Sequence, residues 1–99
     1  MILILGTIRA PAGAMAALRA PMAAVVAASR AEDGCIEYAY GEDMLVPGLI
    51  RVSEVWRDRA ALEAHFKAPH MDPWRAARAA LGVGERNLNL YESSDPEPI

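Results

Sequence analysis

The first nine residues, Met1 to Arg9, constrain the fold of this chain more than any other stretch. A β-strand here would be apolar on both faces, because its large side chains do not alternate with polar ones. One face carries three isoleucines and the other two leucines and a threonine, namely Ile2, Ile4 and Ile8 against Leu3, Leu5 and Thr7. Such strands are covered on both sides in folded proteins. The fold must therefore bury both faces of the first strand.

The remaining pattern predicts three further strands and two helical regions, the second of them broken at Pro69. The segments are strands at Cys35–Glu42, Leu49–Trp56 and Arg86–Glu92, and helices at Ala14–Ala31, from Asp58 to Lys67 and from Asp72 to Leu81. This order predicts an α+β fold, the ferredoxin-like β-α-β-β-α-β arrangement with an antiparallel sheet. Residues 1–92 would form this single domain, and residues 93–99 a loose C-terminal tail.

Helices cover only one face of a ferredoxin-like sheet, which leaves the other apolar face of the first strand without a cover. The simplest cover is a second copy of the chain, packed sheet to sheet around a twofold axis. The sequence therefore predicts a homodimer in addition to the fold of one subunit.

Local signals give finer expectations about the helices. Asp58 is a candidate N-cap, and Gly34 is suited to the left-handed position that closes the first helix. Pro73 is expected at the first position of the last helix. Pro21 lies inside the first helical pattern and removes a backbone donor, so we expect a kink or an irregular first half.

Strand alternation gives matching expectations for the inward faces. It places Ile36, Tyr38 and Tyr40 on one face of the second strand and Cys35 on the other, where Cys35 would be a small buried residue. Glu54 is expected to point inward from the third strand. A buried carboxylate needs a partner, for which we expect an arginine across the dimer.

Composition and charge exclude several classes of protein. The formal net charge is −3 with acids and bases interspersed, so no basic block predicts binding to nucleic acid or an anionic membrane. The N-terminal apolar run is too short for a signal peptide, and no run approaches the roughly 20 apolar residues of a membrane span. The single cysteine can form no internal disulfide. We therefore expect a cytoplasmic protein.

Chemically versatile side chains concentrate between Ile50 and Trp74, which contains both histidines and both tryptophans. A histidine with a pKa near neutrality is suited to act as a base, and aromatic side chains can stack on a planar ring. His65 and His70 are therefore the candidate catalytic residues. The candidate substrate contacts are five aromatic residues, Trp56, Tyr38, Tyr40, Phe66 and Trp74.

Each candidate also has a purely structural interpretation. His65 borders the apolar face of its helix and could be a half-buried histidine with satisfied hydrogen bonds, while His70 could face solvent at the helix break. The aromatic residues could be core packing. The two histidines lie five residues apart across a break, without a third ligand at suitable spacing. This spacing is a poor match to zinc geometry, so we expect no metal site.

Several segments resemble the antibiotic biosynthesis monooxygenase family of the dimeric α+β barrel superfamily. They are the first strand, Gly34–Cys35, Glu54–Trp56, Ala60–His65 and Pro69–His70. The resemblance covers residues 1–91 and implies a homodimer of ferredoxin-like subunits, each with a pocket between sheet and helices. It also implies chemistry without a cofactor, because members include cofactor-independent oxygenases of polyketide anthrones or quinols. Other members cleave haem or isomerise small phosphorylated sugars, and many have no known reaction.

Two positions depart from the patterns of characterised members. Some polyketide oxygenases carry an asparagine four residues before the tryptophan that matches Trp56, and this chain has Val52 there. Haem-cleaving members use an asparagine on the first strand, and Met1–Arg9 contains none. The first departure implies that the polyketide scheme does not transfer intact, and the second disfavours haem cleavage.

Three hypotheses about function follow. The first is a cofactor-independent monooxygenase that combines dioxygen with a small planar phenolic, quinol or anthrone-like substrate. The second is a non-catalytic, dimeric small-molecule-binding or accessory protein, which Val52 favours. The third is a cofactor-free isomerase in which His65 or His70 shuttles a proton.

Overall fold

A computed structural model describes residues 1–99 and contains four strands and three helices. In chain order these are β1 (Ile2–Arg9), α1 (Met15–Arg30), β2 (Cys35–Glu42), β3 (Leu49–Trp56), α2 (Arg59–Lys67), α3 (Met71–Ala80) and β4 (Arg86–Glu92). The strands form one sheet in the order β2-β3-β1-β4, and every neighbouring pair is antiparallel. The predicted ferredoxin-like α+β fold is confirmed.

The helices lie on one face of this sheet and cover the buried core. Two clusters of buried side chains occupy this face, and Tyr40, Val26 and Leu88 pack against both of them. The largest buried side chains are Trp56 and Trp74, which are 0% and 2% exposed. Aromatic side chains contribute much apolar area for their number, so these two hold α2 and α3 against the sheet.

Strand β2 does not keep the strict alternation that the sequence predicts. A β-bulge between Cys35 and Glu37 inserts one residue, so that Cys35 takes the position opposite Trp56. The bulge leaves Ile36 59% exposed and returns Cys35 to the helix-covered face. The prediction that Ile36 shares a face with Tyr38, and that Cys35 lies on the other, was wrong.

Of the two predicted capping residues, Asp58 is confirmed and Gly34 is not. The Asp58 side chain accepts a hydrogen bond from the Ala61 backbone N–H at 2.8 Å, which confirms the predicted N-cap of α2. Gly34 adopts a left-handed φ of 81°, but α1 is already capped at Ala31. Gly34 therefore forms the turn into β2 instead of the helix cap. A Cβ there would lie only 2.6 Å from the Ala61 Cβ.

The prolines also differ in part from expectation. Helix α1 continues through Pro21, so the expected irregularity does not interrupt it. The break at Pro69 separates α2 from α3, as predicted. Helix α3 begins at Met71, which makes Pro73 its third residue instead of its first. Both positions lie in the first turn, where a missing N–H has no intrahelical partner to lose.

The opposite face of the sheet is covered by no element of the chain. Leu5 and Tyr91, which project from it, are 42% and 49% exposed. Residues 93–99 form no helix or strand, although the Ser93 backbone N–H donates to the Met1 carbonyl at 2.8 Å. None of the three helices has the length and apolar character needed to cross a bilayer.

Candidate functional site

A cavity of about 220 Å³ lies between the covered face of the sheet and helices α2 and α3. Five of the seven residues singled out from the sequence line it, namely Tyr38, Tyr40, His65, Phe66 and Trp74. The fold thus brings together side chains that are up to 36 positions apart in the sequence. The rest of the wall is formed by Ile4, Glu54, Met71, Arg78, Arg86, Leu88, Asn89 and Leu90.

His65 is the titratable group best placed for chemistry. Helix α2 directs its ring inward, where the residue is 1% exposed, and its Nδ1 lies 2.6 Å from Glu32 Oε2. Burial lowers the pKa of His65, and the charge and hydrogen bond of Glu32 offset part of that lowering. The ring is therefore neutral near pH 7, with Nδ1–H donating to the carboxylate. Its Nε2, which has no protein partner, is left with a free lone pair.

His70 does not line the cavity but contacts the same carboxylate oxygen as His65. Its Nε2 is 3.2 Å from Glu32 Oε2, and its side chain is 28% exposed. Glu32 therefore bridges a buried and a partly exposed histidine. Glu32 precedes β2 and stands far from both histidines in sequence, so spacing alone gave no signal for it.

Glu32, His65 and His70 are also the group that could hold a metal ion, since their ligand atoms all lie within 4.8 Å of one another. The shortest separation, 2.6 Å, is a hydrogen-bond distance. It is well below the roughly 3.3 Å that separates ligands around a tetrahedral zinc ion. The arrangement is that of a hydrogen-bonded bridge, in which Glu32 fixes the tautomer of His65.

Tyr38 and Tyr40 place a pair of hydroxyls in the cavity wall. The two oxygens are 2.9 Å apart, so one hydroxyl donates to the other and leaves a single proton free to bond a ligand. Burial is the main cause that raises the pKa of both tyrosines. Both hydroxyls are therefore protonated at neutral pH and act as hydrogen-bond donors, not as bases.

Trp56 does not line the cavity but lies beneath it. Its Nε1–H donates to Glu54 Oε1 at 3.0 Å, and its ring centroid is 4.7 Å from that of His65. The expected inward position of Glu54 is found, with Trp56 of the same chain as its hydrogen-bond partner. Burial raises the pKa of Glu54, and the Trp56 bond opposes that rise.

The remaining wall combines an aromatic surface with positive charge. Trp74 packs 5.7 Å from Tyr40, centroid to centroid, and the guanidinium of Arg78 lies 5.5 Å from the Trp74 ring. Arg86 lines the cavity from β4. Neither arginine was found from the sequence, because arginines on a helix and at a strand end carry no pattern that distinguishes them from solvated surface.

A second, larger hollow of about 360 Å³ lies between α1 and β2. It is more open, contains no histidine, and has Arg19 and Glu42 as its charged residues. The chemistry-bearing residues therefore meet in the smaller cavity and not in the larger one.

Comparisons with known proteins agree with this architecture. The model of the antibiotic biosynthesis monooxygenase family matches residues 1–77. The uncharacterized protein sll1783 of Synechocystis is 31% identical over 71 residues, which are 72% of this chain and 48% of that protein. The chain thus spans about half the length of the curated relative it matches.

Solved structures match over nearly the whole chain. A candidate antibiotic biosynthesis monooxygenase from Deinococcus radiodurans is 30% identical with a TM-score of 0.91, covering 100% of this chain and 98% of its own. PA3566 from Pseudomonas aeruginosa is 32% identical with a TM-score of 0.84, covering 95% and 94%. The fold is that of the dimeric α+β barrel superfamily. Within it, the chain belongs to the antibiotic biosynthesis monooxygenase family.

Proposed function

We propose that this protein is a cofactor-independent monooxygenase that acts on a small planar phenolic, quinol or anthrone-like substrate. One observation carries the proposal: a neutral histidine, His65, is held by a carboxylate at Nδ1 and has a free Nε2 at the wall of an aromatic cavity. A carboxylate that fixes the tautomer of a histidine is a recurrent means of making its other nitrogen a base.

The base would start the reaction by removing a proton from the substrate. His65 Nε2 takes the proton of an acidic C–H or O–H group, and Glu32 stabilises the imidazolium that forms. The resulting electron-rich anion passes an electron to dioxygen. When a ring CH₂ becomes a carbonyl, one oxygen atom enters the product and the other leaves as water. The substrate supplies all four electrons, so no external reductant is required.

The cavity wall supports a planar aromatic substrate. Trp74 and Phe66 offer ring faces and edges, and the Tyr38–Tyr40 pair offers one free hydroxyl proton to a substrate oxygen. Tyr38 and Tyr40 thus orient the substrate in this proposal, while Trp56 acts through His65, against whose ring it packs. His70 has an indirect role as the partly exposed partner of Glu32.

We further propose that the protein works as a homodimer in the cytoplasm. The uncovered sheet face with its half-exposed Leu5 and Tyr91 supports the dimer, and a lone thiol at Cys35 fits a reducing compartment. Light scattering should give twice the mass of one chain, and Leu5→Glu should lower it to that of a monomer. A wild-type monomer at micromolar concentration would contradict the dimer.

Dioxygen uptake with a panel of anthrones and hydroquinones tests the enzymatic proposal. Loss of a general base typically costs about 10²- to 10⁴-fold in rate, so His65→Gln should lose most of the uptake. Glu63→Gln, an exposed change on the same helix, is the matched control and should retain it. Uptake that is unchanged in His65→Gln would contradict the role of the histidine.

A non-catalytic binding protein is the second candidate function. Val52 is 3% exposed, packs in the core, and stands where some polyketide oxygenases have an asparagine, so this chain lacks the amide that such enzymes have at that position. A binding protein would gain thermal stability from a ligand and leave it unchanged, without oxygen uptake. An isomerase, the third candidate, would convert its substrate under nitrogen.

A further inference from the structure

The cavity wall contains two arginines that form no salt bridge within the chain. Most arginines of the chain lie beside a carboxylate; these pairs are Arg9 with Glu85, Arg51 with Asp43, Arg57 with Asp33, Arg59 with Glu92 and Arg75 with Asp72. Arg78 and Arg86, which both line the cavity, have no such partner and form no hydrogen bond within the chain. Arg19 and Arg30 also lack a carboxylate partner, but Arg30 donates to the Tyr38 carbonyl and Arg19 lines only the hollow beside α1. Arg78 and Arg86 are the arginines without a carboxylate partner that line the candidate site.

Arg78 is the inner of the two. It is half-buried on α3, and its Nε is fully buried without a hydrogen-bond acceptor. A buried donor that lacks an acceptor is costly, and charged donors cost most. The only compensation nearby is the face of Trp74, 5.5 Å from the guanidinium carbon. The guanidinium of Arg78 is therefore suited to donate a hydrogen bond to an acceptor on a bound ligand.

Arg86 lies at the exposed mouth of the same cavity, on β4. The one acidic residue of the wall, Glu54, already accepts a hydrogen bond from Trp56 and is not in a salt bridge with either arginine. The charges of both arginines also act on the Tyr40 hydroxyl. An anionic group placed between Arg78 and Arg86 would thus meet two guanidinium groups and a phenolic donor.

We infer that the ligand of this cavity is an aromatic acid, whose carboxylate is held by Arg78 and Arg86 while its ring packs on Trp74. Arginine binds carboxylates through two parallel hydrogen bonds, which makes it selective for this group. The cavity volume of about 220 Å³ lies below the roughly 300–1,000 Å³ of most ligand pockets. This size favours a ligand of one or two rings over a three-ring anthrone.

An aromatic acid could bind at Arg78 and Arg86 whether or not the protein is an enzyme. That this acid is the substrate rests on the proposed function. Under that function, the substrate is a hydroxylated aromatic acid that becomes a quinone. The phenol carbon and one ring C–H carbon become the two carbonyls, one oxygen atom of dioxygen enters the product and the other leaves as water, so the substrate again supplies all four electrons. Its hydroxyl would face His65 Nε2, and its carboxylate would face Arg78.

Matched pairs of ligands test the inference without requiring activity. Tryptophan fluorescence and calorimetry under nitrogen would compare 6-hydroxy-2-naphthoate with 6-hydroxy-2-naphthamide, and 4-hydroxybenzoate with its amide. Hydrogen bonds to charged groups contribute enough for the acids to bind about 10- to 100-fold more tightly than the amides. The preference should fall with added salt. Equal affinities, or no binding of either acid, would overturn the inference.

Variants then assign the preference to particular residues. Arg78→Met should abolish most of it, Arg86→Met should reduce it less because that residue is exposed, and Arg78→Lys should retain part. Arg19→Met is the matched control, since Arg19 also lacks an acidic partner but lines only the hollow beside α1. A full preference in Arg78→Met would overturn the assignment. The comparison of acid and amide on the wild-type protein stands even if a variant does not fold.

The outcomes separate this inference from the proposed function. Acids that bind selectively but consume no dioxygen would retain the anion site and reject the oxygenase. Oxygen uptake with neutral phenols, without a preference for acids, would retain the oxygenase and reject the anion site.

Discussion

The two walls of the cavity differ in whether their polar groups have partners within the chain. On the wall formed by α2, β2 and β3, these polar groups have partners: His65 with Glu32, Glu54 with Trp56, and the two tyrosines with each other. On the wall formed by α3 and β4, Arg78 and Arg86 have none. Paired groups are held in one orientation by the protein itself, whereas unpaired groups depend on a ligand for their partner. The first wall is therefore suited to catalysis and the second to recognition.

The largest effect on stability is expected on the paired wall. Trp56→Ala removes a fully buried indole and leaves Glu54 without its donor. The expected loss is about 3–5 kcal/mol in the free energy of unfolding, measured by urea denaturation. Met44→Ala, at a residue that is 97% exposed, is the control and should change the stability by less than about 0.5 kcal/mol. A loss of similar size in both variants would contradict the comparison.

Glu32→Gln should give the next largest effect, this time on activity. Outer partners that fix the orientation of a histidine typically contribute about 10- to 100-fold, so kcat/KM for oxygen uptake should fall by that amount. Because Glu32 raises the pKa of His65, its neutralisation should also move the acidic limb of the pH–rate profile to lower pH. A merely structural role for Glu32 would leave the position of that limb unchanged.

The pH dependence of the free energy of unfolding should also depend on the pKa of His65. Burial lowers the pKa of His65 below its usual 6.5, while Glu32 opposes the shift and His70 and Arg75 add to it. The unfolded chain therefore binds more protons than the folded protein just below pH 6.5, and stability falls as pH falls through that window. Chemical denaturation of wild type and His65→Gln, at several pH values from 7 downward, should show a shallower fall in the variant. Equal slopes would contradict a lowered pKa.

The smallest effect is expected from the unpaired wall. Arg78→Met removes a guanidinium whose Nε is buried without an acceptor and retains most of the apolar stem. Stability should stay within about 1 kcal/mol of wild type, or rise. A loss above about 2 kcal/mol would mean that Arg78 has a partner that stabilises the fold, and the contrast between the walls would then fail.

The sequence predicts the fold well because the fold depends on patterns that neighbouring residues carry. The apolar first strand, the Asp58 cap and the break at Pro69 each have a local signature, and the structure contains all three. The β-bulge has no such signature, so the faces of Ile36 and Cys35 were assigned wrongly. One inserted residue moves the side chains that precede it in the strand to the opposite face of the sheet.

The candidate site was predictable only in part. Five aromatic or histidine residues were chosen by type and do meet in one cavity. Glu32 could not be found, because the contact that gives it importance joins residues 33 positions apart. Arg78 and Arg86 are distinguished by lining the cavity without an acidic partner, and neither property can be identified from the sequence around them.

Nitrogen-detected NMR of the histidine side chains tests the central claim most directly, because it needs no substrate. We expect His65 to be neutral at pH 7, to carry its proton on Nδ1, and to titrate with a pKa below 6.5. In Glu32→Gln the pKa should move further down. A His65 ring protonated on Nε2, or a pKa above 6.5 in the folded protein, would contradict the assignment of His65 as a base oriented by Glu32.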